Sequence, residues 1–193
     1  MGILEIMLGD ILLILIEIGS SLIGSILIAR AWIHAVRLHP FNPVSQAIYQ
    51  TTNWLIQPLR KVFHAGKFID WASIIAAFLV ALLSVVLRWM VANASILPAS
   101  LVPTFIGVAI IMLATWLLNL VFLLTIAQAI LSWMNPMATI MPVLRVLTEP
   151  LLAPLRRILP TPGGLDLSPI ALLILAQISM VIIKRIVFAL TGV

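Results

Sequence analysis

TEPLLAPLRRILPTPGGLDLSP, Thr148 to Pro169, breaks a chain otherwise built of long Leu, Ile, Val and Ala runs. It holds five prolines, a Gly-Gly pair and two adjacent arginines. QPLRKVFHAGKFID, Gln57 to Asp70, reads as a worn copy of it. Sliding the sequence on itself by 96 residues, half the chain, explains the likeness. Pro40 falls on Pro136, Thr52 on Thr148, Pro58-Leu59-Arg60-Lys61 on Pro154-Leu155-Arg156-Arg157, Asp70 on Asp166 and Arg88 on Lys184. Matched prolines and charges carry more information than matched leucines, so the chain reads as a tandem duplication.

Between these stretches lie apolar runs long enough to cross a bilayer, which takes about 20 residues as a helix. They are 11–33, 71–91, 103–133 and 168–190, with linkers at 34–70 and 134–167. The units are 1–96 and 97–193, each a span, a linker and a second span. Two spans per unit send both units into the membrane in the same direction. That predicts a parallel repeat about a pseudo-two-fold axis along the membrane normal. The expected fold is an all-α membrane protein: four transmembrane helices in two tandem parallel repeats, each with an amphipathic or re-entrant helical linker.

Composition agrees. Of 193 residues, 63% are hydrophobic and 9% charged, where a soluble domain carries about 25% charged residues. The chain has no cysteine, which removes disulfides and thiolate chemistry. The net charge of +5 sits between spans, where it sets topology and meets anionic lipid, so no direct nucleic-acid partner is expected. Arg30, Arg37, Arg60, Lys61, Lys67, Arg145, Arg156 and Arg157 are eight of eleven basic residues, and all sit on the side of the two long linkers. The positive-inside rule then places both linkers in the cytoplasm, with the termini and the short 93–100 connection outside. Arg88, Lys184 and Arg185 oppose that assignment.

In the first linker, Val44, Ile48, Thr51, Leu55, Leu59 and Val62 recur at helical spacing, opposite Gln46, Gln50, Asn53, Gln57, Arg60, Lys61 and His64. This is the pattern of an interfacial amphipathic helix, kinked or divided at Pro58. The second linker is more apolar and is cut by Pro142, Pro150 and Pro154, which suggests a deeper element. Gly163 and Gly164 belong to a turn, after which Asp166, Ser168 and Pro169 start the last span as an acidic first-turn group, a cap and a first-turn proline.

Arg60 with Asp70, and Arg156 with Asp166, are either ion-pair latches or merely topology markers beside helix caps. The arginines together with Lys61 and Arg157 are candidate contacts for lipid headgroups or a protein partner. Glu17 lies inside the first span, and Asn119 and Gln128 inside the third. They are candidate intramembrane polar sites, with helix–helix hydrogen bonding as the alternative role for the amides. Ser20 and Gly24 offer a small-residue packing face. His34, His39 and His64 lack metal-site spacing, and no nucleophile, acid–base or phosphate-loop motif is present. No catalytic residue, cofactor or metal is therefore expected.

SWMNP at Ser132–Pro136, TEPLLAPLRRILP at Thr148–Pro160 and GGLDLSP at Gly163–Pro169 closely resemble the YggT family of bacterial membrane proteins, also called YlmG. The resemblance covers essentially the whole chain, whose length and duplication match the two-copy form. The first copy departs from the motif, with Trp54 in place of Pro150 and Ala65-Gly66-Lys67 in place of Thr161-Pro162-Gly163. The resemblance implies a multi-pass protein of the bacterial inner membrane. It also implies links to osmotic-shock tolerance and ion homeostasis, to division-site and nucleoid organisation, and, in plastid relatives, to cytochrome assembly. The expected function is a non-catalytic scaffold or assembly factor whose cytoplasmic linkers bind lipid and a protein partner. The alternative is an ion channel or transporter component, as a homo-oligomer, in osmotic or potassium homeostasis.

Overall fold

The computed structural model describes residues 3–63, 66, 69–93, 95, 98–159 and 166–191. The described residues form six α-helices: α1 (Ile3–Ala35), α2 (Pro43–Arg60), α3 (Trp71–Asn93), α4 (Val102–Met134), α5 (Met141–Ile158) and α6 (Ser168–Thr191). A single 3-10 turn, Ala99–Leu101, leads into α4. Four of these helices, α1, α3, α4 and α6, are long and apolar enough to cross a membrane. The expected spans are thus found, with α1 starting earlier than the expected residue 11.

α1 and α4 each have 33 residues. At 1.5 Å per residue each is about 50 Å long, against a hydrocarbon core of about 30 Å. Both must tilt or extend beyond the bilayer.

The spans meet through small residues. α3 turns Ala72, Ala76, Ala77 and Ala81 inward against Leu27 and Ile28 of α1 and Ala109 and Trp116 of α4. Small side chains let helix backbones approach where lipid supplies no hydrophobic drive between helices. Gly24 lies against the Trp116 ring with no room for a Cβ, so the small-residue face of α1 receives an indole from the second unit. α1, α3 and α4 all pack on one another, while α6 lies on α4 and α5 and makes no comparable contact with α1 among the described residues. The two units repeat in direction, and the α3–α4 contact has no counterpart of comparable extent between α6 and α1 among the described residues.

Among the described residues each linker forms one continuous α-helix. α2 packs on α1 and α3, and α5 on α4 and α6. Pro58 in α2, and Pro150 and Pro154 in α5, lie inside helices that continue through them. All three are exposed, so the carbonyls they leave unpaired face outward, where other donors are available. Of the kink or division expected at Pro58, the division does not occur. α5 buries Val143, Leu144, Leu147, Thr148 and Leu152 and exposes Arg145, Glu149 and Arg157, so it is amphipathic.

Both linkers sit at the same end of the bundle. Ile33 from the end of α1 packs with Val143 and Leu147 of α5, flanked by Val44 and Ile48 of α2. Trp32 Nε1 donates to the Leu147 carbonyl at 2.9 Å, tying the first unit to the second linker. Trp71 at the head of α3 and Trp133 near the end of α4 are exposed at this end, the level at which indoles favour a membrane–water interface.

Candidate functional site

The densest polar cluster joins α1, α2 and α3. Arg30 is 1% exposed and Asp70 0%. Arg30 Nη1 donates to Thr52 Oγ1 at 2.6 Å and to Asn53 Oδ1 at 3.0 Å, and the guanidinium lies 4.7 Å from the Tyr49 ring centre. Arg30 Nε lies 3.6 Å from Asp70 Oδ2. The same oxygen accepts from Arg60 Nη2 at 3.0 Å and from Ser73 Oγ at 2.8 Å. Two cations thus share one carboxylate, and α2 is clamped from behind by Arg30 and from its end by Arg60.

Burial pushes the Asp70 carboxyl up, but the Ser73 hydroxyl and the Arg60 charge outweigh it, so the group is held below its ordinary value. The Tyr49 phenol is pushed up by burial, against the opposing pull of Arg30.

The second unit keeps the outer half of this arrangement and loses the inner half. Arg156 Nε donates to Asp166 Oδ2 at 2.7 Å, and Arg156 Nη1 reaches Glu149 Oε2 at 2.8 Å. Asp166 Oδ1 also accepts from the Ser168 backbone N–H at 2.9 Å, capping α6. Asp166 is pushed up by slight burial and pulled down further by Arg156 and Ser168, for a net lowering. The Asp166 hydrogen bond is the largest of the influences that raise Arg156. The residue matching Arg30 is Ile126. The clamp on the linker comes instead from Gln128, whose Oε1 accepts from the Thr148 hydroxyl.

Asp166 therefore caps α6 and latches α5 at once, whereas the Asp70 carboxylate latches α2 and holds the Ser73 hydroxyl in the first turn of α3. Arg60 and Arg156 are latches. Lys61 and Arg157 are exposed, as is Arg145, which lines a shallow cleft with Pro136, Met137 and Met141. Pro150 and Pro154 are exposed on α5, Ser168 is buried at the first position of α6, and Pro169 is half-buried behind it. Gly163 and Gly164 lie outside the described residues.

The structure does not gather Glu17, Asn119 and Gln128 into one site. Glu17 faces Arg88 across α1 and α3 at 3.8 Å, with both side chains largely exposed. Gln128 is buried against α5, and Asn119 is exposed on α4. Ser20 and Ser84 add a 3.0 Å hydrogen bond beside the Glu17 pair.

Arg30 was the residue that sequence reasoning missed. The positive-inside count takes it as a topology marker, yet it falls inside the apolar run 11–33. An ionisable residue inside a span is the signal that points to a buried partner.

The geometry defines a class: a four-span helical membrane protein of two parallel span–linker–span units, each linker latched to the span that follows. The family model for CCB3/YggT matches residues 9–91 and again 107–187, one match in each unit. The chain belongs to the CCB3/YggT family. It is 35% identical over 150 residues to "Uncharacterized protein in proC 3'region" of Vibrio alginolyticus, covering 77% of this chain and 80% of that one. It is 33% identical over 154 residues to "Uncharacterized protein YggT" of Escherichia coli K12, covering 79% of this chain and 78% of that one. A Pseudomonas aeruginosa protein is 33% identical over 179 residues, 90% of this chain and 88% of that one. No solved structure matches the chain.

Proposed function

We propose that the protein is a non-catalytic scaffold of the bacterial inner membrane. Its two linker helices form a fixed basic surface on the cytoplasmic side that binds anionic headgroups and a protein partner. The observation that carries this reading is the division of labour among the linker cations. Arg60 and Arg156 are consumed by the carboxylates that hold α2 and α5 in place, which leaves Lys61, Arg145 and Arg157 exposed on immobilised helices. A basic residue near an anionic leaflet contributes about 1 kcal/mol of attraction. Exposed Trp54 on α2 and Ile158 at the end of α5 add apolar contacts beside these charges.

Polar groups inside the spans are divided among separate contacts rather than aligned, which favours the scaffold over the pore. The family link to osmotic tolerance and division-site organisation fits a membrane platform.

The test uses a chain that lacks cysteine. A single cysteine at Gln57, carrying an environment-sensitive dye, is followed in vesicles of zwitterionic lipid with and without phosphatidylglycerol. The expected result is a spectral shift with the anionic lipid that salt reverses, and that Lys61→Gln, Arg145→Gln and Arg157→Gln together abolish. A shift-free response, or a K⁺ or H⁺ flux from the same vesicles that Glu17→Gln alters, overturns the scaffold reading.

A further inference from the structure

α3 and α4 pack together in the chain, but the equivalent contact between α6 and α1 is absent among the described residues. Two equivalent faces are therefore left open. On α3, Phe78, Ala81 and Trp89 are buried or half-buried; their counterparts on α6, Ile174, Gln177 and Arg185, are exposed. On α4, Phe105, Val108 and Trp116 are buried. Their counterparts on α1 are Gly9, which has open space at its Cβ position, exposed Leu12, and Ser20, which is half-buried against Ser84 of α3 instead.

We infer that a second copy of this chain fills these faces, with α6 of one copy packing against α1 of the next and repeating between chains the α3–α4 contact made within one.

The register follows from the repeat. Trp89 and Phe105 are in edge-on ring contact, with centroids 5.5 Å apart. In an antiparallel helix pair the numbers of facing residues keep a constant sum, so Ala81 lies opposite Leu113. Both belong to one core cluster. Shifting this register by 96 residues sets Arg185 opposite Gly9, Lys184 opposite Asp10, and Gln177 opposite Glu17.

The chemistry of the two faces is complementary. Asp10 and Glu17 on α1 are acidic and exposed; Lys184 and Arg185 on α6 are basic and exposed; Gln177 between them is an exposed amide. Asp10, Lys184 and Arg185 make no ion pair among the described residues, and the Glu17 side chain is 63% exposed beside Arg88. Polar groups on the lipid face of a span are unfavourable, and helix–helix contact relieves them. A head-to-tail contact of this kind also closes into a ring when its rotation permits.

The experiment is disulfide trapping in native membranes. Asp10→Cys and Lys184→Cys are expressed together on differently tagged full chains, and separately as controls, then oxidised. Labelling with a small thiol reagent establishes that each cysteine is reactive. The expected result is a disulfide-linked dimer carrying both tags, absent from either variant alone. A second pair, Gly9→Cys with Arg185→Cys, should also cross-link. That product should fall when Asp10→Lys is added to the first chain, and return when Lys184→Asp is added to the second. Reactive thiols that give no mixed dimer, or equal trapping in either variant alone, overturn the head-to-tail contact.

Discussion

Arg30 Nε and Asp70 Oδ2 lie 3.6 Å apart inside the bundle, and both side chains are shut off from solvent. The pair joins the end of the first span to the start of the second, with α2 held between them through Thr52 and Arg60. Removing one member of a buried pair strands the other charge, which destabilises by about 3–5 kcal/mol. Asp70→Asn should lower the thermal unfolding midpoint of the purified protein substantially. Arg30→Gln added to Asp70→Asn should recover part of the loss. In the second unit the same change, Asp166→Asn, meets a pair that is more than a third exposed and should remove only about 0–1 kcal/mol. Equal losses at the two aspartates would contradict the inequality of the units.

Acid should release the latches late. Asp70 and Asp166 are both held below the ordinary carboxylate value in the folded protein. A depressed folded value gives stability that is fully present above the unfolded value, about 3.9, and lost as pH falls through the folded one. Thermal midpoints should stay flat from neutrality down to the carboxylate range and then fall. In Asp70→Asn the fall should be smaller. A drop beginning near pH 6 would assign the acid response to another group.

Gly24→Ala places a methyl where the Trp116 ring already lies. Overpacking of this kind typically destabilises by about 1–3 kcal/mol, and Trp116→Phe should relieve part of it. Gly9→Ala, with open space at its Cβ position, should leave the midpoint of detergent-purified protein unchanged.

Gln128 and Thr148 form a buried hydrogen bond that secures α5 to α4. Thr148→Val leaves the buried Gln128 amide without its partner, a loss of about 1–3 kcal/mol, whereas in Gln128→Leu the Thr148 hydroxyl keeps the Leu144 carbonyl as acceptor and the loss should be smaller. The double change should be milder than the two single losses added together. Additive losses would show that the two side chains act independently.

How much of this was legible differs residue by residue. The spacing of Arg60 with Asp70 and of Arg156 with Asp166 could be read because duplication keeps both members in place, but spacing left latch and topology marker as open alternatives, and only the folded contacts separate them. The spans could be read because apolar length decides them. Arg30 escaped because the duplication lacks it: Ile126 stands in its place, and the guanidinium sits where a span merges with a linker. The apolar face expected for the first linker fails at two positions: Val62 lies exposed beyond the end of α2, and Thr51 is the second. Thr51 was placed on its apolar side, but the structure exposes Thr51 and buries Thr52, because Thr52 supplies the oxygen that Arg30 needs. Hydrophobic spacing alone cannot sense that requirement. The prolines misled for a related reason. They lie on the outward face of each linker, where a lost backbone hydrogen bond can be replaced, so the helices continue through them. Asn119 and Gln128 look alike in sequence; only packing separates the exposed amide from the one bound to Thr148.

Both linkers meet at one end of the bundle, and the proposed function requires that this end face the cytoplasm. Single cysteines at Gln50 on α2 and Glu149 on α5, both exposed, allow a direct measurement with a membrane-impermeant thiol reagent. The account predicts that both are labelled in inverted vesicles and neither in intact spheroplasts. Labelling of either position from outside the spheroplast would contradict it.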